Sequence, residues 1–489
     1  MIAFVFYSAA LVAILSLSLL LPVLVAFGFG EHEVGVRLII YAALGAFLSV
    51  ATLLSIRGFV GSLGRIASIY LCVAAWLGLP MLLAIPFSDI LQLSYLDALF
   101  ETISGFTTTG ASILPSIDNI PRAMVVARAE LQWIGGLATL LTFILILSPS
   151  SIGGIPHTDG TTVGSAVMDN PSTLGRYCRG LAQIYLALTI FCFVLLLING
   201  SQPFDALVLS MTAISSGGFL PGDKSLHDSL SLGGMLVMTL FLLIAATSVF
   251  WHQMAMRLQL AELKIHRESY FVLLVWLVVG LVFSVVIFQA AGGASRLPTM
   301  TALVEGLYNS ASTISTSGLQ SRPGIYALLP PTLILALLFL GAGCFSTSSG
   351  LKFFRLGGMV SQAVHELNVL IYPHGIRPVR FGSVAYNNQL MKSIWGMFMA
   401  AVIVVVIGAI MLTYYGMNFQ AGFTASIASF VNAGPAYGPE WAPQSEQGWP
   451  SYPEMITPQK IIISALMLLG RLEVILLVVA FNLSFWINR

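Results

Sequence analysis

The chain has 489 residues, of which 57% are hydrophobic and only 8% charged, and its formal net charge is +1. Water-soluble domains carry charge on roughly a quarter of their residues, so this composition excludes an ordinary soluble enzyme and places the chain in a lipid bilayer. A near-neutral balance leaves no basic footprint for nucleic acid, and the chain has neither a Gly-rich phosphate loop nor a zinc-spaced cysteine set, so no nucleic-acid partner and no bound organic cofactor is expected. Cys72, Cys178, Cys192 and Cys344 are scattered in apolar segments without paired spacing and read as buried thiols.

The opening stretch, Met1 to Phe29, is apolar for longer than a signal-peptide core and has no basic leader, so it reads as a retained first helix. Spans are expected at about Phe4 to Phe27 and Val36 to Leu54, joined by the acidic turn Gly30-Glu-His-Glu33. A unit then begins that recurs: span, short polar-apolar segment, span. Its copies are Ile66 to Ile85 with Ala123 to Leu147; Leu181 to Ile198 with Leu232 to Phe250; Tyr270 to Phe288 with Pro331 to Phe354; and Lys392 to Tyr414 with Ile461 to Trp486. The reading is therefore of residues 1–62 as two extra N-terminal helices, followed by repeats at 63–150, 151–264 and 265–358 and a cytoplasmic connection with a fourth repeat at 359–489.

Ten spans leave four short segments over, one inside each repeat. The first is Leu96-Asp-Ala-Leu-Phe-Glu-Thr-Ile-Ser-Gly-Phe-Thr-Thr-Thr-Gly110. Asp97 to Gly110, Asp205 to Gly218 and Glu305 to Gly318 each span thirteen positions, whereas Gln420 to Gly434 needs fourteen. Such a pattern implies one short helix feeding one glycine-closed backbone turn. Segments of this length enter a bilayer without crossing it, and irregular backbone at that depth survives only against protein or a wet cavity. Four of them around one axis imply a pore.

A dehydrated monovalent cation needs several oxygen ligands, and backbone carbonyls supply them without a fixed charge that would hold the ion too firmly. The candidate walls are Thr107, Thr108, Thr109 and Gly110; Ser215, Ser216, Gly217 and Gly218; Ser315, Thr316, Ser317 and Gly318; and Val431, Asn432, Ala433 and Gly434. Each preceding helix would turn its partially negative C-terminal end inward and favour a cation. Spacing favours Gly218 in the second wall, with Gly217 as the alternative. The fourth wall, with Val431 and one extra residue, is expected to coordinate less well.

Basic residues near span ends set the orientation. Arg57, Arg65, Arg176, Arg179, Arg257, Lys264, Arg267, Lys352, Arg355, Arg377, Arg380 and Lys392 lie on alternate connections, which are expected to be cytoplasmic together with both termini. The opposite connections carry Arg37, Arg122, Arg128, Lys224, Arg296, Arg322 and Lys460 and the acidic Glu440, Glu446 and Glu454. The four short segments then enter from outside. Tyr372 to Pro378 is either a basic docking surface for a cytosolic partner or a solvated loop. No acidic residue is placed mid-span as an evident proton carrier.

Ser104-Gly-Phe-Thr-Thr-Thr-Gly110, Gln132-Trp-Ile-Gly-Gly136, Ser346-Thr-Ser-Ser-Gly-Leu-Lys352 and Leu469-Gly-Arg-Leu-Glu473 together resemble the Trk/Ktr/HKT superfamily of potassium transporters, in particular the H-type membrane subunit of Trk systems. The resemblance covers nearly the whole chain. It implies an all-α polytopic membrane protein of four covalently linked helix-pore loop-helix repeats around a central pore, plus two extra N-terminal helices. It further implies a homodimer in the bacterial inner membrane, regulated by a cytosolic nucleotide-binding A-type Trk subunit, with K+ as the transported ion. In that superfamily, glycine at all four filter positions goes with potassium preference.

The third repeat is broken at Gly341-Ala-Gly-Cys-Phe-Ser-Thr-Ser-Ser-Gly350, whose small and hydroxylated residues do not favour a straight lipid-exposed helix. The resemblance makes this an intramembrane gate loop built on Gly341, Gly343, Ser346, Thr347, Ser348, Ser349 and Gly350; a kinked packing helix is the alternative. Arg471 is charged inside an apolar span, a costly placement that marks a functional position. It is expected below the filter beside the gate loop, while Lys352 and Arg355 are read as cytoplasmic anchors. The expected function is potassium uptake, with a sodium-permeable or proton-coupled transporter as the alternative. An intramembrane hydrolase using His365-Glu366 is disfavoured because position 369 is Val, which leaves no His-Glu-x-x-His motif.

Overall fold

The computed structural model describes residues 2–59, 64–147, 171–256, 258, 267–292, 298–371, 380–381, 384–386, 388–441 and 448–472. Residues Arg257, Lys264, Arg296, Arg377, Glu446 and Glu473, the Tyr372 to Pro378 connection and the last span beyond Leu472 lie outside them. The regular secondary structure of the described residues is helical, apart from one antiparallel pair of two-residue strands, Arg380–Phe381 and Val384–Ala385.

The N-terminal span is two helices, α1 (Ile2–Ser18) and α2 (Leu20–Gly28), followed by α3 (His32–Ile56). In the first repeat α4 (Arg65–Leu91) leads into the short α5 (Tyr95–Phe106) and returns through α6 (Arg122–Thr142). The second is α7 (Pro171–Ile198), the short α8 (Pro203–Ser215) and α9 (Leu232–Ala246). The third is α10 (Arg267–Ala290), the short α11 (Thr299–Ile314) and α12 (Pro331–Leu340), continued past a break by α13 (Phe353–Ile371). The fourth is α14 (Asn388–Tyr414), the short α15 (Phe419–Phe430) and α16 (Thr457–Leu472). Expected domain limits at 62, 150 and 264 fall outside the described residues, and the one at 358 lies within α13.

Ten spans are read from the sequence, whereas among the described residues six helices are long and apolar enough to cross a membrane, or seven if one bent pair is counted as a span. The differences have local causes. Helix α6 carries Arg128, Glu130 and Gln132 on its buried face, which lowers its apolarity. The expected Leu232 to Phe250 span is interrupted: α9 ends at Ala246 and the chain bends by 106° into the helix Val249–Met256. Helix α12 stops at Gly341, whose backbone lies at φ +67°, ψ −150°, outside the helical region.

Each short helix packs against the long helix that precedes it, α5 on α4, α8 on α7, α11 on α10 and α15 on α14. The short helices are more deeply buried than the spans around them. From Phe100 to Phe106 every residue of α5 is buried, while α3 exposes Phe47 at 70% and Leu44 at 54%. Apolar side chains facing outward from α3, α10 and α14 have no aqueous role and are satisfied by lipid. Helices that are polar within and greasy without place the centre of interest where α5, α8, α11 and α15 end.

Candidate functional site

The four short helices begin by different means. Ser94 caps α5 by accepting from the Asp97 amide, Pro203 occupies the first turn of α8, and Asn418 caps α15 by accepting from the Gln420 amide. They end in the same way. One residue past α8 and two past the other three, the backbone turns left-handed: Thr108 at φ +58°, Ser216 at +51°, Thr316 at +58° and Asn432 at +55°. One residue further on, the amide of Thr109, Gly217, Ser317 or Ala433 bonds back five residues to the carbonyl of Ser104, Thr212, Ser312 or Ala428, at 2.8, 2.9, 3.0 and 2.8 Å. This reversal satisfies carbonyls that the helix end would otherwise orphan.

The glycines of the four walls therefore fall in one register, two residues past the left-handed position: Gly110, Gly218, Gly318 and Gly434. Gly218, not Gly217, is the equivalent in the second repeat. The extra residue of the fourth repeat disappears too, because Ala421, not Gln420, stands thirteen positions before Gly434. Its backbone turn matches the other three despite Val431.

These turns converge. A methyl group built on Gly110 would lie 2.3 Å from the Gly218 α-carbon, one on Gly218 would lie 2.5 Å from the Pro435 ring, and one on Gly434 would lie 2.4 Å from the Ala111 nitrogen. A methyl group on Gly318 would sit 2.9 Å from the Ala436 nitrogen. Hydrogen bonds also cross between walls. Gly434 N–H donates to Thr109 O at 2.7 Å, Ser317 Oγ to Gly217 O at 2.5 Å, and Asn432 Nδ2 to Thr109 Oγ1 at 2.9 Å. Gly217 is also confined, but by Gln132, whose Oε1 would lie 2.3 Å from an added methyl group.

The segment Gly341 to Lys352 is non-helical and lies against these turns. It is buried, and its amides find partners that a broken helix leaves behind. Gly343 N–H donates to Ala246 O and Thr347 N–H to Ala245 O, two carbonyls freed where α9 ends. Glu268 Oε1 accepts the amides of Cys344 at 2.7 Å and Phe354 at 3.0 Å. Gly341 and Gly350 press together so tightly that a methyl group on Gly350 would lie 2.6 Å from the Gly341 α-carbon. Lys352 and Arg355, read from sequence as cytoplasmic anchors, are each 1% exposed. Lys352 Nζ donates to Ser348 O and Ser346 Oγ and lies over the Phe143 ring, so the ammonium braces the loop from within. Arg355 donates to Leu351 O at 3.2 Å.

The loop is bonded to the turns. Ser349 N–H donates to Thr316 Oγ1 at 2.8 Å, Ser349 Oγ to Asn432 Oδ1 at 2.7 Å, and Thr347 Oγ1 to Ile214 O at 3.2 Å. Arg471, 2% exposed, completes the connection. Its Nε donates to Thr107 O at 2.5 Å, one terminal nitrogen to Thr347 O at 2.6 Å and the other to Thr108 Oγ1. A planar fork of donors suits such divergent acceptors. Three of the four left-handed residues thus turn their side chains toward the loop or the arginine. Left-handed backbone is unfavourable for a β-branched residue, and Thr108 and Thr316 are held there by these contacts.

Sequence reading missed the struts behind the turns. Arg128, assigned to an outer connection, is buried within α6; its Nε bonds Glu101 Oε1 at 2.7 Å and its guanidinium lies 3.9 Å over Phe219, next to Gly218. The other Glu101 oxygen accepts the Ile113 amide at 3.0 Å. In the third repeat Glu305 pairs with Arg322 at 2.6 Å and His227 at 2.9 Å, and Lys460 reaches Asp97 at 2.7 Å. Glu101 and Arg128 are both charged residues inside apolar segments, the same signal that singled out Arg471. Two further acids are buried: Glu130, 8% exposed in the middle of α6, and Glu268, 7% exposed in the first turn of α10.

A helical membrane protein in which four glycine turns meet, tied to a buried loop and a buried arginine, has the construction of a cation-transport protein. A family model described as "TrkH: Cation transport protein" matches residues 68–485. The chain is 30% identical over 416 residues to the Trk system potassium uptake protein TrkH of Vibrio parahaemolyticus, covering 83% of this chain and 82% of that one. It is 29% identical over 424 residues to TrkH of Escherichia coli K12 (85% and 84% covered), and 26% identical over 483 residues to TrkG of the same strain (97% and 96% covered). The crystal structure of the potassium transporter TrkH from Vibrio parahaemolyticus matches with a TM-score of 0.82 at 26% identity, covering 99% of both chains. The chain belongs to the TrkH family of cation transport proteins, which are transporters and not enzymes.

Proposed function

We propose that this protein takes up potassium ions through a selectivity filter formed by Thr107 to Gly110, Ser215 to Gly218, Ser315 to Gly318 and Val431 to Gly434. Supporting this reading is the shared backbone reversal that brings Gly110, Gly218, Gly318 and Gly434 to one place with no room for a side chain. A path walled by peptide oxygens replaces an ion's hydration without a counter-charge. The inward C-terminal ends of four helices add a cation-favouring field. Uptake is driven by the membrane potential, which supplies about 2.3 kcal/mol per charge per 100 mV.

The loop from Gly341 to Gly350 and Arg471 act as the gate beneath this filter. With the guanidinium on Thr107 O and Thr347 O, a fixed positive charge and a bonded loop oppose ion passage, so the arrangement is the closed one. The protein works as a homodimer in the cytoplasmic membrane with both termini inside, and a cytosolic nucleotide-binding Trk subunit moves the loop. Growth of potassium-uptake-deficient cells on low potassium tests the reading. Rescue by the wild-type chain, lost with Gly110→Asp, is expected; rescue that survives Gly110→Asp contradicts it. A sodium-permeable variant of the same path is the second reading, favoured by the hydroxyl-rich walls and separated from the first by growth in sodium.

A further inference from the structure

The four turns share their backbone but not the hydroxyl that braces them from behind. In the first repeat Ser104, six residues before Gly110, donates from Oγ to Ala111 O at 2.6 Å. In the second, Thr212, six residues before Gly218, donates from Oγ1 to Phe219 O at 2.9 Å. Each strap closes the turn across its own helix end and fixes the carbonyl that follows the glycine. Ser312 holds the same position in the third repeat, where the Tyr326 hydroxyl from the outer segment lies 3.5 Å from its Oγ. The fourth repeat has Ala428 at this position, which has no hydroxyl to give.

A hydroxyl arrives from elsewhere. Tyr452 lies on the outer segment before α16, in a turn closed by a reciprocal cap between Ser451 and Glu454. Its hydroxyl donates to Gly434 O at 3.1 Å. The side chain is 7% exposed, and its ring packs on Phe100 of α5 at 5.9 Å and on Tyr437 at 5.3 Å. Gly434 is therefore held from two sides: its N–H by Thr109 O, and its carbonyl by Tyr452. The next residue, Pro435, is the one that meets Gly218. A proline contributes no N–H, so the Gly434–Pro435 peptide has only its carbonyl to anchor it.

We propose that Tyr452 is a positioning residue for ion selectivity: the fourth repeat has no pore-helix hydroxyl at the Ala428 position, and Tyr452 reaches in from the outer segment to hold the Gly434 carbonyl itself, one residue before the carbonyl that Ser104 and Thr212 hold in the first two repeats. This rests on the reading of the four turns as the selectivity filter. Tyr452 touches no ion; it acts by fixing the carbonyl direction of Gly434, and with it the spacing of the fourth turn against Gly110 and Gly218. A turn that loses this tether tolerates a wider range of oxygen-to-ion distances and discriminates less between potassium and sodium.

The test is the bi-ionic reversal potential of protein in liposomes, with potassium on one side and sodium on the other. Three substitutions are compared with wild type: Tyr452→Phe, Tyr437→Phe and Gly218→Ser. Tyr452→Phe keeps the ring and its packing and removes one oxygen. Its potassium-to-sodium permeability ratio is expected to fall about fivefold, which corresponds to about 1 kcal/mol, the scale of one hydrogen bond. Tyr437→Phe removes a neighbouring hydroxyl that donates to Pro450 O, away from the filter glycine, and is expected to leave the ratio unchanged. Because the potential reports a ratio, it reads only protein that has folded and inserted. A ratio unmoved by Tyr452→Phe but lowered by Gly218→Ser overturns the role of Tyr452 and leaves the filter standing. An equal fall with Tyr437→Phe also overturns it, by showing that any loosening of the outer segment suffices. A ratio unmoved by all three overturns the filter reading and the proposal with it.

Discussion

Replacing Arg471 with alanine removes a charged group that bonds both the loop and the turns. Among the described residues three bonds from the loop to the helix ends and turns remain, from Thr347 Oγ1 to Ile214 O, from Ser349 N–H to Thr316 Oγ1 and from Ser349 Oγ to Asn432 Oδ1. Neutral bonds contribute about 1 kcal/mol each and one from a charged donor about 2. The guanidinium's bond to Thr347 O therefore provides roughly two-fifths of the tether. Losing about 2 kcal/mol changes the ratio of open to closed loop by about thirtyfold. Arg471→Lys keeps the charge, but a single ammonium does not span acceptors on Thr107, Thr108 and Thr347, so an intermediate effect is expected. The assay is open probability of the reconstituted protein without its cytosolic partner, starting from a mostly closed state. An open probability within twofold of wild type for Arg471→Ala would refute the tether and leave the arginine a packing residue.

Lys352→Met removes the donations to Ser348 O and Ser346 Oγ and should raise unstimulated potassium flux, measured by rubidium uptake into liposomes. Glu101→Gln leaves Arg128 without its counter-charge in a buried site and should cost roughly 3–5 kcal/mol of stability, whereas Glu101→Gln with Arg128→Met should cost less. Thermal unfolding in detergent distinguishes the two. Outside the membrane, burial acts to raise the Asp223 carboxyl, but hydrogen bonds from Ser116, Ile117 and Asp118 outweigh it and hold the group below its ordinary 3.8. A depressed folded value means that this contribution is present above pH 3.8 and is lost as pH falls through the lower value. Amide exchange at Ile117 should accelerate in that acid window, and Asp223→Asn should abolish the dependence.

The helices are legible because lipid enforces two simple signals: long apolar runs, and short segments that do not fit between them. The four turns are legible because glycine at a fixed offset reflects a backbone shape. Position Gln420 misled the count, since an anchor at the start of a helix says little about where the helix ends. The turn itself, marked by Asn432 in left-handed backbone, sets the register. Arg471 could be placed beside the loop because a lone charge mid-span demands partners. Lys352 could not, because a basic residue at the end of an apolar segment has the same appearance whether it faces water or folds back onto Ser348. The Glu101–Arg128 strut was hidden for another reason. Its members are 27 residues apart on helices whose contact only the fold reveals, and Arg128 lies near enough to a span end to pass for an outer residue.

The most direct test of the central claim is the reversal potential of the purified protein in liposomes under crossed potassium, sodium and proton gradients. The four turns acting as one potassium-selective path predict a potential that follows the potassium gradient and ignores the other two. A potential that tracks sodium equally, or that stays at zero under every gradient, contradicts it.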